Sequence, residues 1–225
     1  MRPIEITKRY ALVTVGLFFS ALGVAFARHG ALGVSPISSV ANVLSLRFPA
    51  VSMGNWLILW NFLLILGQVV ILRRKFRPIQ LLQIPVSFLF GWFTDLGLAI
   101  VAPIPADRYL LQLLMVALGV LILGFGIALA VIADAVMNAG EAFVKTVADA
   151  LHKNFGNVKI VFDVSCVTLS VLLSLLLFGG KLMGTREGTV IAALCTGLSV
   201  KLWSRLLRTP LTQFLTAAKK NQEKS

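Results

Sequence analysis

The chain has 225 residues, 58% of them hydrophobic and 13% charged, with a mean hydropathy of +0.90. A soluble domain needs far more polar surface, so the class is integral membrane protein. The net charge of +12 does not point to nucleic acid: the basic residues lie in short clusters between apolar spans, the positive-inside pattern of a surface facing lipid headgroups.

A spanning helix takes about 20 apolar residues, which leaves room for roughly six spans and no separate soluble domain. The first apolar run, Tyr10 to Ala27, follows Arg2, Lys8 and Arg9. Arg28 and His29 come next instead of a small-residue cleavage site, so the run reads as a retained helix and not a signal peptide. Ser35-Pro36 is a helix start, a capping hydroxyl followed by proline at the first helical position. The helix from Pro36 to about Leu46 is too short to cross a bilayer at about 1.5 Å per residue, so it is either re-entrant or interfacial. Span two, Gly54 to Leu72, embeds Asn55, Asn61 and Gln68 and ends at RRKFR. Span three, Ile79 to Ala102, contains Gln80, Gln83, Pro85 and Asp95, and a short PIPADR turn leads to span four, Leu110 to Ala133.

The most polar interior stretch follows. Asn138 to Asp163 carries Glu141, Lys145, Asp149, Lys159 and Asp163 between two long apolar runs. Asn138-Ala-Gly-Glu141 reads as a capping box that opens a second short helix, ending near His152. Span five covers Val158 to Phe178, the GGKLMGTREG loop follows, and span six runs from Thr189 to Leu207. Residues 208–225 are expected to form a soluble, frayed cytoplasmic tail. Cys166 and Cys195 fall inside apolar runs with no metal spacing, as small packing groups do. With the amino terminus inside, 16 basic residues face the cytoplasm against five outside, so both termini are expected to be cytoplasmic.

Sliding the chain by about 103 residues lays LGVAFARHGALGVSPISSVANVL over FGIALAVIADAVMNAGEAFVKTV. Gly23 falls on Gly126 and Ser35 on Asn138; with one residue of slippage, Gly54-Asn55 falls on Gly156-Asn157 and Asn61 on Asp163. The order of elements is the same in both halves: span, short capped helix, Gly-Asn, span, loop, span. The expected fold is therefore all-α, with six transmembrane helices as two three-helix repeats, residues 1–107 and 108–207. An odd number of spans per half makes the repeats inverted, and short helices at matching positions of inverted repeats point to a transporter's binding site.

GVSPISS, MGNW, LLQIPVSFLFGWFTD, GEAF, FGNVKIVFD and REGT resemble the YczE/YitT-like bacterial membrane proteins over about residues 10 to 205. That family is largely uncharacterised. The resemblance implies fold and topology, and a transport role commonly assumed for the family; it brings no catalytic residues.

Ionisable groups inside spans cost about 2.5–3.5 kcal/mol each, so they usually face a bundle interior or a cavity. Glu141 and Lys145, Lys145 and Asp149, and Lys159 and Asp163 are each spaced i, i+4, one helical face apiece. If the second short helix is re-entrant, this ladder lines a cavity and the helix start offers free N–H groups to an anion. If it lies flat, the same residues are a solvated face. The candidate substrate-binding set is Ser35, Ser38, Ser39, Asn55, Asn61, Gln83, Asn138, Glu141, Lys145, Lys159 and Asp163. Ordinary interhelical hydrogen bonding, at about 1 kcal/mol per pair, also accounts for polar residues in spans.

The expected function is a secondary transporter of a small polar or anionic solute, with Glu141 or Asp163 coupled to a proton or sodium ion. No catalytic group or metal set is visible, so neither enzyme activity nor a cofactor is expected. The expected partners are the lipid bilayer, the solute and its coupling ion, with no nucleic acid and with a homodimer left open. Two alternatives stand: a substrate-binding subunit of a multi-component transporter, and a non-transporting membrane assembly or biosynthesis factor.

Overall fold

The computed structural model describes residues 3–220, and among these there is no strand. The helices are α1 (Pro3–His29), α2 (Pro36–Arg47), α3 (Met53–Leu72), α4 (Gln83–Val101), α5 (Tyr109–Ala133), α6 (Ala139–Leu151), α7 (Phe155–Leu177) and α8 (Glu187–Lys220), with 3-10 turns at Arg73–Lys75 and Pro78–Leu82 between α3 and α4. Six of them, α1, α3, α4, α5, α7 and α8, are long and apolar enough to cross a membrane. The chain is a multi-pass membrane protein.

At the centre, α1 packs along α5. Lipid tails are as apolar as leucine, so close association of spans comes from packing and polar contacts rather than from the hydrophobic effect. Glycine allows that packing here. A methyl group at Gly16 would lie 2.7 Å from the Gly126 carbonyl oxygen, and one at Gly119 would lie 2.7 Å from that of Gly23. Around this crossing α4 packs on α1 and α8 on α5, α3 packs on α4, α2 lies against α7, and α6 against α3. The helix-end groups at the crossing are also served: Arg9 Nη1 donates to the last α5 carbonyl, Ala133, at 2.6 Å, the favourable place for a cation at a helix carboxyl end.

Both short helices start inside the bundle and finish at its surface. Pro36, Ser38 and Ser39 are buried, and the Ser39 hydroxyl reaches the Cys166 carbonyl, midway along α7. Ala139 and Gly140 are buried, and Ala139 clusters with Leu64 and Ile65, just past the middle of α3. Leu46, Phe48 and Leu151 at the far ends are exposed. The two starts touch: a methyl group on Gly140 would come within 2.9 Å of the Ile37 side chain.

Two local expectations change. Asn138 Oδ1 accepts from the Ala139 N–H at 2.8 Å, so the cap is made without a reciprocal bond from Glu141. The last helix does not fray after Leu207 but continues to Lys220. Lys8 of α1 holds this extension, donating to the Phe214 carbonyl at 3.1 Å and lying 4.5 Å above the Phe214 ring, while Leu215 is buried. Hydropathy marks where the chain leaves the apolar layer, and the helix outlasts that point. The rest of the expected tail, 221–225, lies outside the described residues.

Candidate functional site

The buried face of α3 is a single stripe, Met53, Gly54, Leu57, Asn61, Leu64, Ile65 and Gln68, the three- and four-residue spacing of one helix face. Leu57 belongs to a core cluster with Val34 and Ala41 around α2, whereas Leu64 and Ile65 pack on Ala139 of α6. Asn61 sits between them, 2% exposed, with its Nδ2 donor unpartnered in the protein. A buried amide without a partner costs about 1–3 kcal/mol, so this donor stands out as one kept for something else.

The serine hydroxyls at the start of α2 are engaged with one another and with the backbone, and none of them caps the helix. Ser35 Oγ donates to Ser38 Oγ at 3.0 Å, and Ser39 Oγ donates to the Pro36 carbonyl at 2.6 Å. Further along, Asn42 Nδ2 donates to the Gly184 carbonyl at 2.7 Å, and Asn42 Oδ1 finds no partner.

On the α6 side, Phe143 fixes the helix to two neighbours. Its ring fills the space over Gly67 of α3 and meets Phe162 of α7 with centroids 5.4 Å apart. That placement brings half-buried Glu141 within electrostatic reach of Lys159 and Asp163, themselves joined in an i, i+4 ion pair on α7. Burial lifts the Glu141 carboxyl above the ordinary carboxylate range; Lys159 and Glu141's own backbone pull it back, and Asp163 adds slightly to the rise. Lys145 and Asp149, the expected partners on α6 itself, are exposed and make no ion pair. The expected i, i+4 pair therefore forms along α7 but not along α6, and Glu141 looks across to α7 instead.

Of the candidate residues, Ser35, Ser38, Ser39, Asn61, Asn138, Glu141, Lys159 and Asp163 lie around the two short helices. Gln83 is close by but structurally committed: it exchanges amide hydrogen bonds of 2.9 and 3.1 Å with Gln68, whose Nε2 also lies 3.4 Å from the Ala139 carbonyl. Lys145 is on α6 but exposed to solvent, and Asn55 lies apart from this group. Asn55 lines a 710 Å³ hollow on the flank of α3 and α4 with Ile58, Pro85, Phe88, Leu89, Trp92 and Asp95.

Three polar placements were not expected. Asp95 clamps the start of α3, accepting from Ser52 Oγ at 2.6 Å and the Gly54 N–H at 2.8 Å. Gln68 supplies the partner for Gln83. Thr189, at the start of α8, is buried against Gly33 with its hydroxyl unpartnered; Gly33 has φ +121 and no room for a side chain there. The signal for the first two was present as polar residues inside apolar runs.

A family model described as a family of unknown function, DUF6198, matches residues 7–205. The chain belongs to that family. The match takes in all of α2 to α7 and so the whole polar group around the short helices. No curated protein and no solved structure matches the chain. DUF6198 thus fixes the kinship of the chain and leaves its activity to be argued from the site.

Proposed function

We propose that the chain is a secondary transporter for a small polar or anionic solute, built from two inverted three-span halves with the solute site where α2 and α6 meet. The observation that carries the reading is the contact of Ile37 with Gly140. α2 follows the end of α1; three more crossings, α3, α4 and α5, separate that end from the one that α6 follows. The two ends then belong to opposite membrane faces, and helix starts that touch must both dip inward, as re-entrant pieces.

The repeat has residue-level support. Under the 103-residue shift Gly16 and Gly23 correspond to Gly119 and Gly126, so the two close approaches at the α1/α5 crossing are mates of one another. Under the 102-residue shift the Gln68–Gln83 pair corresponds to Ser170 and Thr185, whose hydroxyls lie 3.0 Å apart. Packing of α2 on α7 likewise mirrors that of α6 on α3. The symmetry breaks at the outer helices: α3 packs along α4, but α7 and α8 share no comparable contact. Gly197 stands where the register places Asp95, and no clamp forms there.

Head-to-head helix starts inside a membrane offer N–H groups and positive dipole ends to an anionic group. Inverted repeats meeting at such broken helices are the structural basis of alternating access. Asn61 would add a hydrogen bond to the solute. The charge distribution supports cytoplasmic termini in a bacterial inner membrane, and the resemblance to YczE/YitT-like proteins is consistent with this topology. A second reading, docking of a cytoplasmic partner on α6, draws on its exposed Lys145 and Asp149.

The test is flux or solute-dependent thermal stabilisation with purified protein in vesicles and a panel of organic acids, amino acids and inorganic anions. A response lost in Glu141→Ala supports transport. No response across the panel, together with labelling of a cysteine at position 145 from the cytoplasm alone and none at position 61, favours docking.

A further inference from the structure

We propose that the two halves of the site divide its work: the α2/α3 side holds the solute with neutral groups, and Glu141 on the α6/α7 side is the proton carrier that couples transport. This deepens the transporter reading and rests on it. The repeat register supplies the comparison. Glu141, Lys159 and Asp163 correspond to Ser38, Leu57 and Asn61, all three of which are buried and neutral. One side of the site cannot titrate. The other holds two carboxylates and one ammonium.

The charge arithmetic of that second side selects the proton. Lys159 is already bonded to Asp163, so the trio sums to zero when Glu141 is protonated and to minus one when it is ionised. An unbalanced charge in a low-dielectric site costs several kcal/mol, so the neutral trio is the form that tolerates enclosure. Ionisation gives Lys159 a second carboxylate within electrostatic reach, Glu141 on α6, beside Asp163 one helical turn along α7. The proton comes from water at the α6 face of the membrane and returns to water on release, so nothing else is consumed.

The groups facing Glu141 can be named from each element packed against it. From α7 they are Lys159 and Asp163. α3 carries no ionisable residue between Met53 and Leu72. On α6 itself Lys145 and Asp149 are exposed to solvent. Among the described residues no cation other than Lys159 acts on Glu141, and its carboxyl lies above the ordinary range for want of water.

The experiment needs no knowledge of the solute. In full-length protein with Cys166→Ala and Cys195→Ala, Asn61→Cys reports access to the neutral half, with Ser38→Cys as a second reporter if the first fails to fold. A charged, impermeant thiol reagent is applied to right-side-out and inverted vesicles while the pH on the α6 side is stepped. Labelling should change with pH by up to about tenfold per unit, the slope of a single titrating carboxyl, and Glu141→Gln should hold it at its low-pH value. Infrared difference spectra should show a protonated carboxyl near neutral pH that Glu141→Gln removes and Asp163→Asn retains. Labelling from both sides that ignores pH, or that Glu141→Gln leaves unchanged, overturns the proton role and leaves the transporter reading standing. A protonated-carboxyl band that survives Glu141→Gln also overturns that role. Labelling from neither side, beside a labelled Lys145→Cys control, overturns both.

Discussion

The crossing of α1 and α5 yields the sharpest stability prediction. In Gly23→Ala the added methyl would meet the Gly119 carbonyl oxygen at 2.6 Å and Leu123 Cα at 2.7 Å. Ordinary van der Waals contact begins near 3.4 Å and the Leu123 backbone nitrogen is nearer still, so the two backbones must separate by about 1 Å, and no flexible side chain is available to move aside. Overpacking of this kind costs about 1–3 kcal/mol, and rigid backbone on both sides places it near the top of that range. Alanine repays about 1 kcal/mol in helix propensity, leaving a net loss of about 2 kcal/mol. Gly197→Ala supplies the control, since that glycine is exposed on α8 with nothing within 4 Å; it should be neutral or more stable by up to about 1 kcal/mol. Gly126→Ala, whose added methyl would press on the Ser20 backbone nitrogen and the Gly16 carbonyl oxygen, should resemble Gly23→Ala. Reversible unfolding in mixed micelles measures all three, and Gly23→Ala matching Gly197→Ala would refute the close crossing.

The Gln68–Gln83 pair should behave as a coupled unit: Gln68→Leu alone strands a buried amide at about 1–3 kcal/mol, and Gln68→Leu with Gln83→Leu should recover much of it, which a double-mutant cycle reads directly. Asp95→Asn should cost about 1.5–3 kcal/mol by removing one charge-assisted bond at the start of α3, and hydrogen exchange should show that helix start opening while α7 is unaffected. A pH effect follows from Glu141. Its folded carboxyl holds a proton more tightly than the unfolded chain does, so stability falls as pH rises from the ordinary carboxylate range through the raised value. Thermal midpoints across that window should flatten in Glu141→Gln, and an unchanged slope would locate the titration elsewhere.

The spans are legible because about 20 apolar residues in a row permit little else. The short helices are legible from Ser35-Pro36 and Asn138, although the Ser35 hydroxyl, expected to cap α2, bonds Ser38 Oγ and makes no cap bond. Partners were harder to read. The i, i+4 rule links Glu141 to Lys145 on one helix, but it cannot say which neighbouring helix carries the better charge, and Phe143 packing on α3 and α7 turns Glu141 toward Lys159 and Asp163 instead. The same holds for Gln68 with Gln83 and for Asp95 with Ser52 and Gly54. Each was visible as a polar residue in an apolar run, but its partner depends on helix register, which only tertiary packing fixes. Leu207 shows the opposite limit: the apolar pattern ends there, yet the helix continues to Lys220, with Lys8 from the other end of the chain bonded to the Phe214 carbonyl.

The central claim is geometric: α2 and α6, entering from opposite faces, meet start to start. A disulfide between Ile37→Cys and Gly140→Cys, in protein lacking Cys166 and Cys195, tests it most directly. A β-carbon on Gly140 would lie 3.3 and 3.8 Å from the two γ-carbons of Ile37, which places the paired β-carbons about 4–5 Å apart, close to disulfide geometry. Mild oxidation in the membrane should join the two halves of the chain within one molecule, seen as a single band after cleavage in the α4–α5 turn. Two free thiols after oxidation, with the protein folded, would contradict the account.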